Sequence, residues 1–308
     1  MPMKTLLCFV GKLQSTHLTI ESIKTNLIQP LDADVLLCVC SDKPPQQVRA
    51  ENELAKIAKY LFIYNDDNIG MSDTFDNMCS SKLVVPSWRS LLYVKDTWLG
   101  CLDDRPGTNA KLMFNKTVLL EEIEKIQKDN PYDWFIVTRT DLMWVGKHPS
   151  LMNMDPSKVY IPTGLDRDGY NDTHFVCSPQ HVSHCLGALN VFLEHTQVLL
   201  DIFEKASVNN LNAEMFFKLI LVMYHIPVSR FPSVAFRTND DERRKLYTNY
   251  DPTLKYHYMD RDEMMHALNN AGVDSHKTTR KKSIKKRLEY NKHNKHNEHI
   301  EHASKNNA

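Results

Sequence analysis

Glycine is scarce in this chain. There are nine in 308 residues, and none sets up a Gly-x-Gly-x-x-Gly turn. A nicotinamide- or methyl-donor-dependent enzyme on a doubly wound sheet is therefore disfavoured, because Gly11 stands alone where a glycine-rich phosphate turn is needed. The seven cysteines (Cys8, Cys38, Cys40, Cys79, Cys101, Cys177 and Cys185) are odd in number and scattered, without a Cys-x-x-Cys pair. That argues against a disulfide framework and against a structural zinc site, and fits a reducing compartment. No apolar run approaches the ~20 residues that span a bilayer. At the N-terminus, Leu6–Val10 is shorter than the ~7–15 residues of a signal-peptide core, and no small-residue cleavage site follows, so it reads as a first strand. These features together give the expectation of a cytoplasmic protein. Charge of one sign is also lacking overall: 38 Lys+Arg balance 38 Asp+Glu. The balance is uneven, since residues 276–308 hold ten Lys+Arg against three Asp+Glu and leave the remainder mildly acidic.

What the chain does contain is an alternation of apolar runs and amphipathic stretches. Hydrophobic residues make up 42% and charged residues 25%, the balance of a soluble globular protein. Leu6–Val10 is a buried strand ending at Gly11 and Lys12. Residues 16–27 carry Leu18, Ile20, Ile23 and Leu27 at helical spacing, with Pro30 as a stop signal. Asp34–Cys40 is a second strand, residues 45–59 a polar helix, and Leu61–Tyr64 a third strand. Residues 66–82 read as a loop or lid, 87–101 as a helix, and 110–128 as a strong helix. Further strands are expected at Trp134–Thr138, Val159–Pro162 and 175–178, with an edge strand within 226–234 that tolerates Pro227 and Pro232. Helices are expected over 181–205 and 211–225, and a short one over 260–271. Such alternation specifies an α/β fold with a mostly parallel central sheet flanked by helices, in one domain over residues 1–275. Residues 276–308 are low in complexity and nearly free of apolar groups, so a disordered tail is expected.

The most informative segment is YDWFIVTRTD, Tyr132–Asp141. Five strand formers run into Arg139 and Asp141, which alternate and so face the same way. In open α/β sheets, ligands bind at the carboxyl ends of strands. Arg139 offers a planar fork for phosphate oxygens, and Asp141 a ligand for a hard divalent cation. The simpler alternative is an ion pair that closes the strand. A second cluster, GLDRDGYND over Gly164–Asp172, places Asp166, Asp168 and Asp172 in one loop. Such carboxylates can serve as a general base or bind sugar hydroxyls, and Gly164 and Gly169 can accept positive φ. A solvated turn uses the same residue types. Glu214 opens a helix, where an acid is ordinarily matched to the helix dipole. Gly11 and Lys12 end the first strand, and Asp42 follows the second. His257, between Tyr256 and Tyr258, is by default a packing residue.

Taken in order, these pieces resemble GT-A-type glycosyltransferases, in a branch that carries Arg-x-Asp in place of Asp-x-Asp. The likeness rests on Phe9–Lys12, on residues 30–35 leading into the second strand, on Tyr132–Asp141, on Gly169–Asp172, and on Asn212–Phe217 followed by Ile226–Val228. It covers about residues 4 to 240. The resemblance implies a GT-A-like fold and a nucleoside-diphosphate sugar donor lying across the first strands, with a glycan acceptor as partner. By this likeness Gly11 and Asp42 lie near base and ribose, and Lys12 stands where many relatives have Arg. Arg139 contacts the diphosphate, and Asp141 binds the donor sugar or a Mn2+ or Mg2+ ion. Asp172 is the catalytic base, oriented by Asn171, and Glu214 contacts donor or acceptor. Asp168 and His257 are secondary metal positions.

A competing reading is an inactive GT-A-like module tethered by its tail. Lys277–Arg287 contains seven Lys+Arg and no acid, enough to contact nucleic acid or an anionic surface. Such runs are more often solvated extensions.

Overall fold

The computed structural model describes residues 3–64, 93–94, 97–98, 108–205, 212–239, 249–251 and 254–273. The expected loop over 66–82, most of the expected helix over 87–101 and the tail lie outside these residues. The strands are β1 (Thr5–Lys12), β2 (Asp34–Cys40), β3 (Tyr60–Tyr64), β4 (Tyr93–Val94), β5 (Thr97–Trp98), β6 (Trp134–Thr138), β7 (Leu142–Trp144), β8 (Val159–Pro162), β9 (Phe175–Cys177), β10 (Val228–Phe231), β11 (Ala235–Arg237), β12 (Asn249–Asp251) and β13 (Tyr256–Tyr258). Seven of them form one sheet in the order β10-β8-β9-β6-β1-β2-β3. All its pairings are parallel except those of β9, which is antiparallel to both β6 and β8. The fold is thus α/β with a mostly parallel central sheet, as the alternation of elements implied. β4 and β5 form an antiparallel pair where a helix was expected. Tyr, Val, Thr and Trp all favour strands, and that preference prevails over helical spacing there.

Chain order reverses beside β1. From β1 the chain winds outward to β2 and β3, then returns to place β6 on β1's other side. That reversal is a topological switch point, the position at which open α/β sheets bind ligands in a crevice outside their strand ends.

Why the sheet holds is legible in its strands. Apolar residues run unbroken because both faces are covered. Leu6, Cys8, Leu36, Cys38, Phe135 and Val137 face one side. Leu7, Phe9, Val35, Leu37, Val39, Trp134 and Ile136 face the other. The helices are α1 (Thr16–Ile23), α2 (Gln29–Leu31), α3 (Pro45–Glu51), α4 (Glu53–Ile57), α5 (Thr108–Asp129), α6 (Pro179–Leu186), α7 (Ala188–Glu194), α8 (Thr196–Lys205), α9 (Ala213–Met223) and α10 (Arg261–Asn270). Leu119 and Ile123 of α5, Val182 and Cys185 of α6, and Phe217 and Leu221 of α9 cover the first face. Ile20 and Ile23 of α1, Val48 of α3 and Leu54 of α4 cover the second. Each buried Leu, Ile or Phe contributes about 1.5–3 kcal/mol of transfer free energy. No described helix is long and apolar enough to cross a membrane.

Local departures from the expected boundaries have definite causes. α1 does not stop before Pro30; it widens into a π segment over Lys24–Ile28 and then runs into α2. Pro30 has no N–H to give the Asn26 carbonyl, and that carbonyl accepts the His148 N–H instead, at 2.8 Å. The expected helix over 45–59 breaks at Asn52, whose side chain caps α4 by accepting from the N–H groups of Leu54 and Ala55. The region 181–205 holds three helices, α6 to α8, rather than one. β7 and β11 form a short antiparallel ribbon at the carboxyl edge of the sheet, too brief for a recognisable alternation.

Beneath that ribbon lie two buried histidines, His148 and His174, with their Nε2 atoms 3.2 Å apart. Burial pushes the His148 ring down to about 4 and the His174 ring well below its ordinary value. Both rings are neutral in the folded protein, whereas in the unfolded chain they take up protons below pH ~6.5. The unfolded state therefore binds more protons from pH 6.5 down to about 4, and stability must fall as pH drops through that window. Chemical denaturation at pH 7 and pH 5 should show this loss, on the order of 1–2 kcal/mol per ring. His174→Phe should reduce the difference by roughly half. An unchanged difference would contradict the assignment of neutral rings.

Candidate active site at the switch point of the sheet

The crevice is built by the ends of β1 and β6. Their register runs from Thr5 opposite Trp134 to Phe9 opposite Thr138. Beyond it, the Thr140 hydroxyl ties the two exits together: it lies 3.1 Å from both the Lys12 and the Gln14 carbonyls. The Thr140 carbonyl in turn accepts from the Thr19 hydroxyl at 2.7 Å. Thr140 is 1% exposed, so this junction is dry. It fixes Arg139 and Asp141 on one wall and Gly11, Lys12 and Gln14 on the other.

Asp141 is buried and fully engaged. Arg139 Nε donates to its Oδ1 at 2.8 Å and Arg139 Nη2 to its Oδ2 at 2.7 Å. Gln14 Nε2 donates to Oδ2 at 2.9 Å. Burial alone would raise the Asp141 carboxyl, but Arg139 and Gln14 outweigh it and hold the group below its ordinary value. The Arg139 guanidinium is raised in turn, chiefly by Asp141. Its side chain remains 30% exposed, against 2% for Asp141. A guanidinium has five N–H donors; two are spent on Asp141, and no other acceptor is bonded to the fork among the described residues, so the remainder could meet an anion. The ion pair and the anion-binding role are thus compatible: Asp141 aims Arg139. Asp141 is fixed from behind as well, since its carbonyl accepts the Thr238 N–H at 2.9 Å and Arg237 lies near enough to lower its carboxyl.

A second charged group, Asp172, lies close enough to raise Arg139 further. Asp172 is buried, and its Oδ2 accepts from Lys116 Nζ of α5 at 2.8 Å. Lys116 was not legible in the sequence, where it is one lysine among many on a long polar helix. Asn171 does not orient Asp172 as the likeness implied. Its Oδ1 accepts from the Thr173 N–H and hydroxyl, and its Nδ2 reaches the Gly164 carbonyl. The asparagine shapes the loop, and the lysine holds the carboxylate.

Glu214 stands in the first turn of α9, which Asn212 caps by accepting the Met215 N–H. It is only 6% exposed, a deeper burial than dipole matching requires. Burial raises its carboxyl, and the Asp172 charge raises it further, partly offset by Arg167, whose Nη1 is 3.5 Å from Oε1. Gly169 is needed at this junction for close approach. A Cβ there would run into the Glu214 backbone, and the adjacent Tyr170 N–H bonds the Glu214 carbonyl at 2.9 Å. Gly164 has the expected positive φ, +91°; for Gly169 the reason is contact and not a left-handed backbone. Leu165, Arg167 and Asp168 carry the left-handed conformations of this loop instead.

The remaining candidates stand apart. Asp42 is exposed beyond β2, and Lys12 is exposed at the end of β1. Asp168 is exposed on its turn, while neighbouring Asp166 is taken by Arg230, whose Nη2 lies 2.7 and 2.6 Å from its two oxygens. His257 of β13 stacks on Tyr250 with ring centroids 4.8 Å apart. The structure does not bring Asp141, Asp168 and His257 together as ligands. Among the described residues, no group of three or more His, Cys, Asp or Glu side chains is placed to hold a metal ion. With both Asp141 oxygens held by Arg139 and Gln14, the donor set does not fit a divalent cation.

No protein-family model matches the chain, and no curated protein matches it. Among solved structures, mouse xyloside xylosyltransferase 1 in its apo form aligns over 84% of this chain and 97% of its own, at 11% identity and a TM-score of 0.38. A likeness of that size decides neither fold nor activity, which rest on the chain's own topology and site.

Lys116 and Asp172 test the second cluster directly. Removing one partner from a buried ion pair costs about 3–5 kcal/mol, because the other charge is left uncompensated. Lys116→Met should therefore lower stability by that order, and the double variant Lys116→Met/Asp172→Asn should recover much of the loss. Denaturant titration of the four proteins measures the coupling. Additive losses would mean that the two charges do not face one another.

Proposed function

We propose that this protein is a glycosyltransferase that moves a sugar from a nucleoside-diphosphate donor to a hydroxyl of a glycan or glycoprotein precursor. The observation that carries the reading is the guanidinium of Arg139 at the switch-point crevice, aimed by a buried Asp141 and within the field of a second buried carboxylate, Asp172. One group suits a diphosphate and the other a hydroxyl proton. The sheet order, with a single reversed strand and the crevice beside β1, supports a GT-A-like arrangement.

In this reading the donor lies over the ends of β1 and β2, with the base and ribose toward Gly11 and Asp42. Its diphosphate meets the free N–H groups of Arg139 and the Lys12 ammonium. As the bond from the sugar to the diphosphate breaks, negative charge collects on the leaving group, and these fixed cations stabilise it without reorganising. The acceptor oxygen forms the new bond to the sugar, and its proton passes to Asp172. Lys116 holds that carboxylate in place. Glu214, its carboxyl raised by burial, contacts donor or acceptor. No step is assigned to a metal ion.

The test is a thermal-shift and turnover screen of nucleoside-diphosphate sugars in EDTA, followed by the same screen of Asp141→Asn. Ligand binding to the native state raises apparent stability, so one nucleotide class should raise the melting temperature of the wild type. Asp141→Asn should fold, yet lose on the order of 100-fold or more in transfer, because Arg139 is no longer aimed. Near-normal turnover in that variant would remove the central claim.

A further inference from the structure

The loop that carries Asp172 does not hold itself. Leu165, Arg167 and Asp168 all lie in the left-handed region, with φ of +58°, +41° and +68°. A residue with a Cβ disfavours that region, and among these three only the aspartate tolerates it readily. A turn built in this way keeps its shape only where bonds from outside it outweigh the strain.

Those bonds come from two directions. From α9, Asn212 Nδ2 donates to the Arg167 carbonyl at 2.9 Å, and the Glu214 carbonyl accepts the Tyr170 N–H at 2.9 Å. From β10 comes a single side chain, Arg230. Its strand pairs with β8 in a register that sets Arg230 beside Ile161, so the arginine projects from the central sheet. Arg230 Nη2 donates to both oxygens of Asp166, at 2.7 and 2.6 Å, and the guanidinium carbon lies 5.6 Å from the centre of the Tyr170 ring. One side chain thus grips the turn at residue 166, before the left-handed pair Arg167 and Asp168, and at residue 170, after it. Lys218 of α9 brings a second cation to 5.7 Å from the same ring.

The two grips act on different parts of the loop. The α9 bonds hold main-chain atoms of the turn itself. Arg230 holds a side chain, and that side chain makes the bond nearest Asp172: Asp166 Oδ1 accepts the Asn171 N–H at 3.1 Å. Among the described residues, no other side chain bonds the Asp166 carboxylate. Arg230 therefore selects the rotamer in which the carboxylate meets Asn171. The pair is open to water, with side chains 28% and 40% exposed, and an ion pair of that kind adds little to overall stability. Its effect is on placement.

We propose that Arg230 is a positioning residue: by aiming Asp166 at the Asn171 N–H and packing on Tyr170, it sets the loop that presents Asp172. The catalytic consequence rests on the glycosyltransferase reading, in which Asp172 takes the acceptor proton. Lys116 holds the Asp172 carboxylate, and Arg230 holds the main chain from which that carboxylate extends. Lysine cannot replace the arginine, because a point charge on a flexible stem does not bond a carboxylate and cover a ring with one planar group.

The experiment is amide hydrogen exchange, resolved residue by residue by NMR, on the full chain as wild type, Arg230→Gln and Arg230→Lys, with urea denaturation and kinetics of each. In both variants the Asn171 amide should exchange about tenfold faster than in wild type. The Tyr170 amide, held by the Glu214 carbonyl, and the amides of β9 should stay within about twofold, and the urea midpoint should hardly move. With a nucleotide sugar that the wild type turns over, kcat should fall about tenfold while the KM for the donor is unchanged, since Arg139 and Asp141 are untouched. Unchanged exchange at Asn171 would overturn the proposal, because Arg230 would then not aim Asp166. A rise shared equally by Asn171, Tyr170 and β9 would also overturn it, because the arginine would serve the fold alone. Faster exchange at Asn171 with normal kcat would overturn the positioning role. A wild type that transfers no sugar removes the glycosyltransferase reading and the kcat prediction with it, while exchange at Asn171 still decides whether Arg230 sets the loop.

Discussion

The pairing of β1 with β6, closed by the buried Thr140 hydroxyl, is the constraint on which the site depends. β1 is central, with β2 on one side and β6 on the other, and the chain reaches β6 only after building the outer strands. The reversal sets the two strand ends side by side, and the threonine ties them at hydrogen-bonding distance. Without that junction, Arg139 and Asp141 would be two charges on a loop. With it, the carboxylate is dry, bonded to three donors and able to hold a guanidinium at a set angle. A neutral side chain on a rigid strand end thereby determines where the positive charge of the crevice points.

Two charged centres then divide the labour. Asp141 with Arg139 belongs to the switch point, and Asp172 with Lys116 belongs to the loop before β9 and the long helix α5. Each pairs a buried acid with a cation, which leaves little net charge in the interior. Buried pairs of this kind stabilise a fold weakly, if at all, relative to apolar replacements. Their retention here is better understood as positioning. The contact of Gly169 with the Glu214 backbone serves the same end, because it locks the loop that carries Asp172 to the first turn of α9. The small cluster around Phe236, Met264 and Leu268 seats α10 so that Glu263 binds Arg237, whose charge in turn reaches Asp141.

Much of this fold was legible in the sequence because its strands are buried on both faces. Continuous runs such as Leu6–Phe9 and Trp134–Val137 identify themselves, and their charged ends mark the edge at which the candidate site lies. What could not be read has physical reasons. The β7–β11 ribbon has three residues per strand and no alternation to detect. β4 and β5 carry strand-forming residues at helical intervals. The role of Lys116 depends on a partner 56 positions away, and that of Gly169 on an approach between distant backbones. Asp168 reads as a metal position, but Arg230 claims nearby Asp166 and a left-handed turn exposes Asp168 itself.

The Arg139–Asp141 pair gives the end of β6 a cation of its own, held in place by a buried carboxylate. This is the central claim, and a crystal structure of the full chain with a nucleoside diphosphate, grown in EDTA, tests it most directly. The account predicts a diphosphate in the β1–β6 crevice, with a phosphate oxygen within hydrogen-bonding distance of the Arg139 guanidinium and Arg139 still forked onto Asp141. A diphosphate bound elsewhere, or an Arg139 displaced from Asp141 so that the carboxylate faces the phosphates, would contradict it.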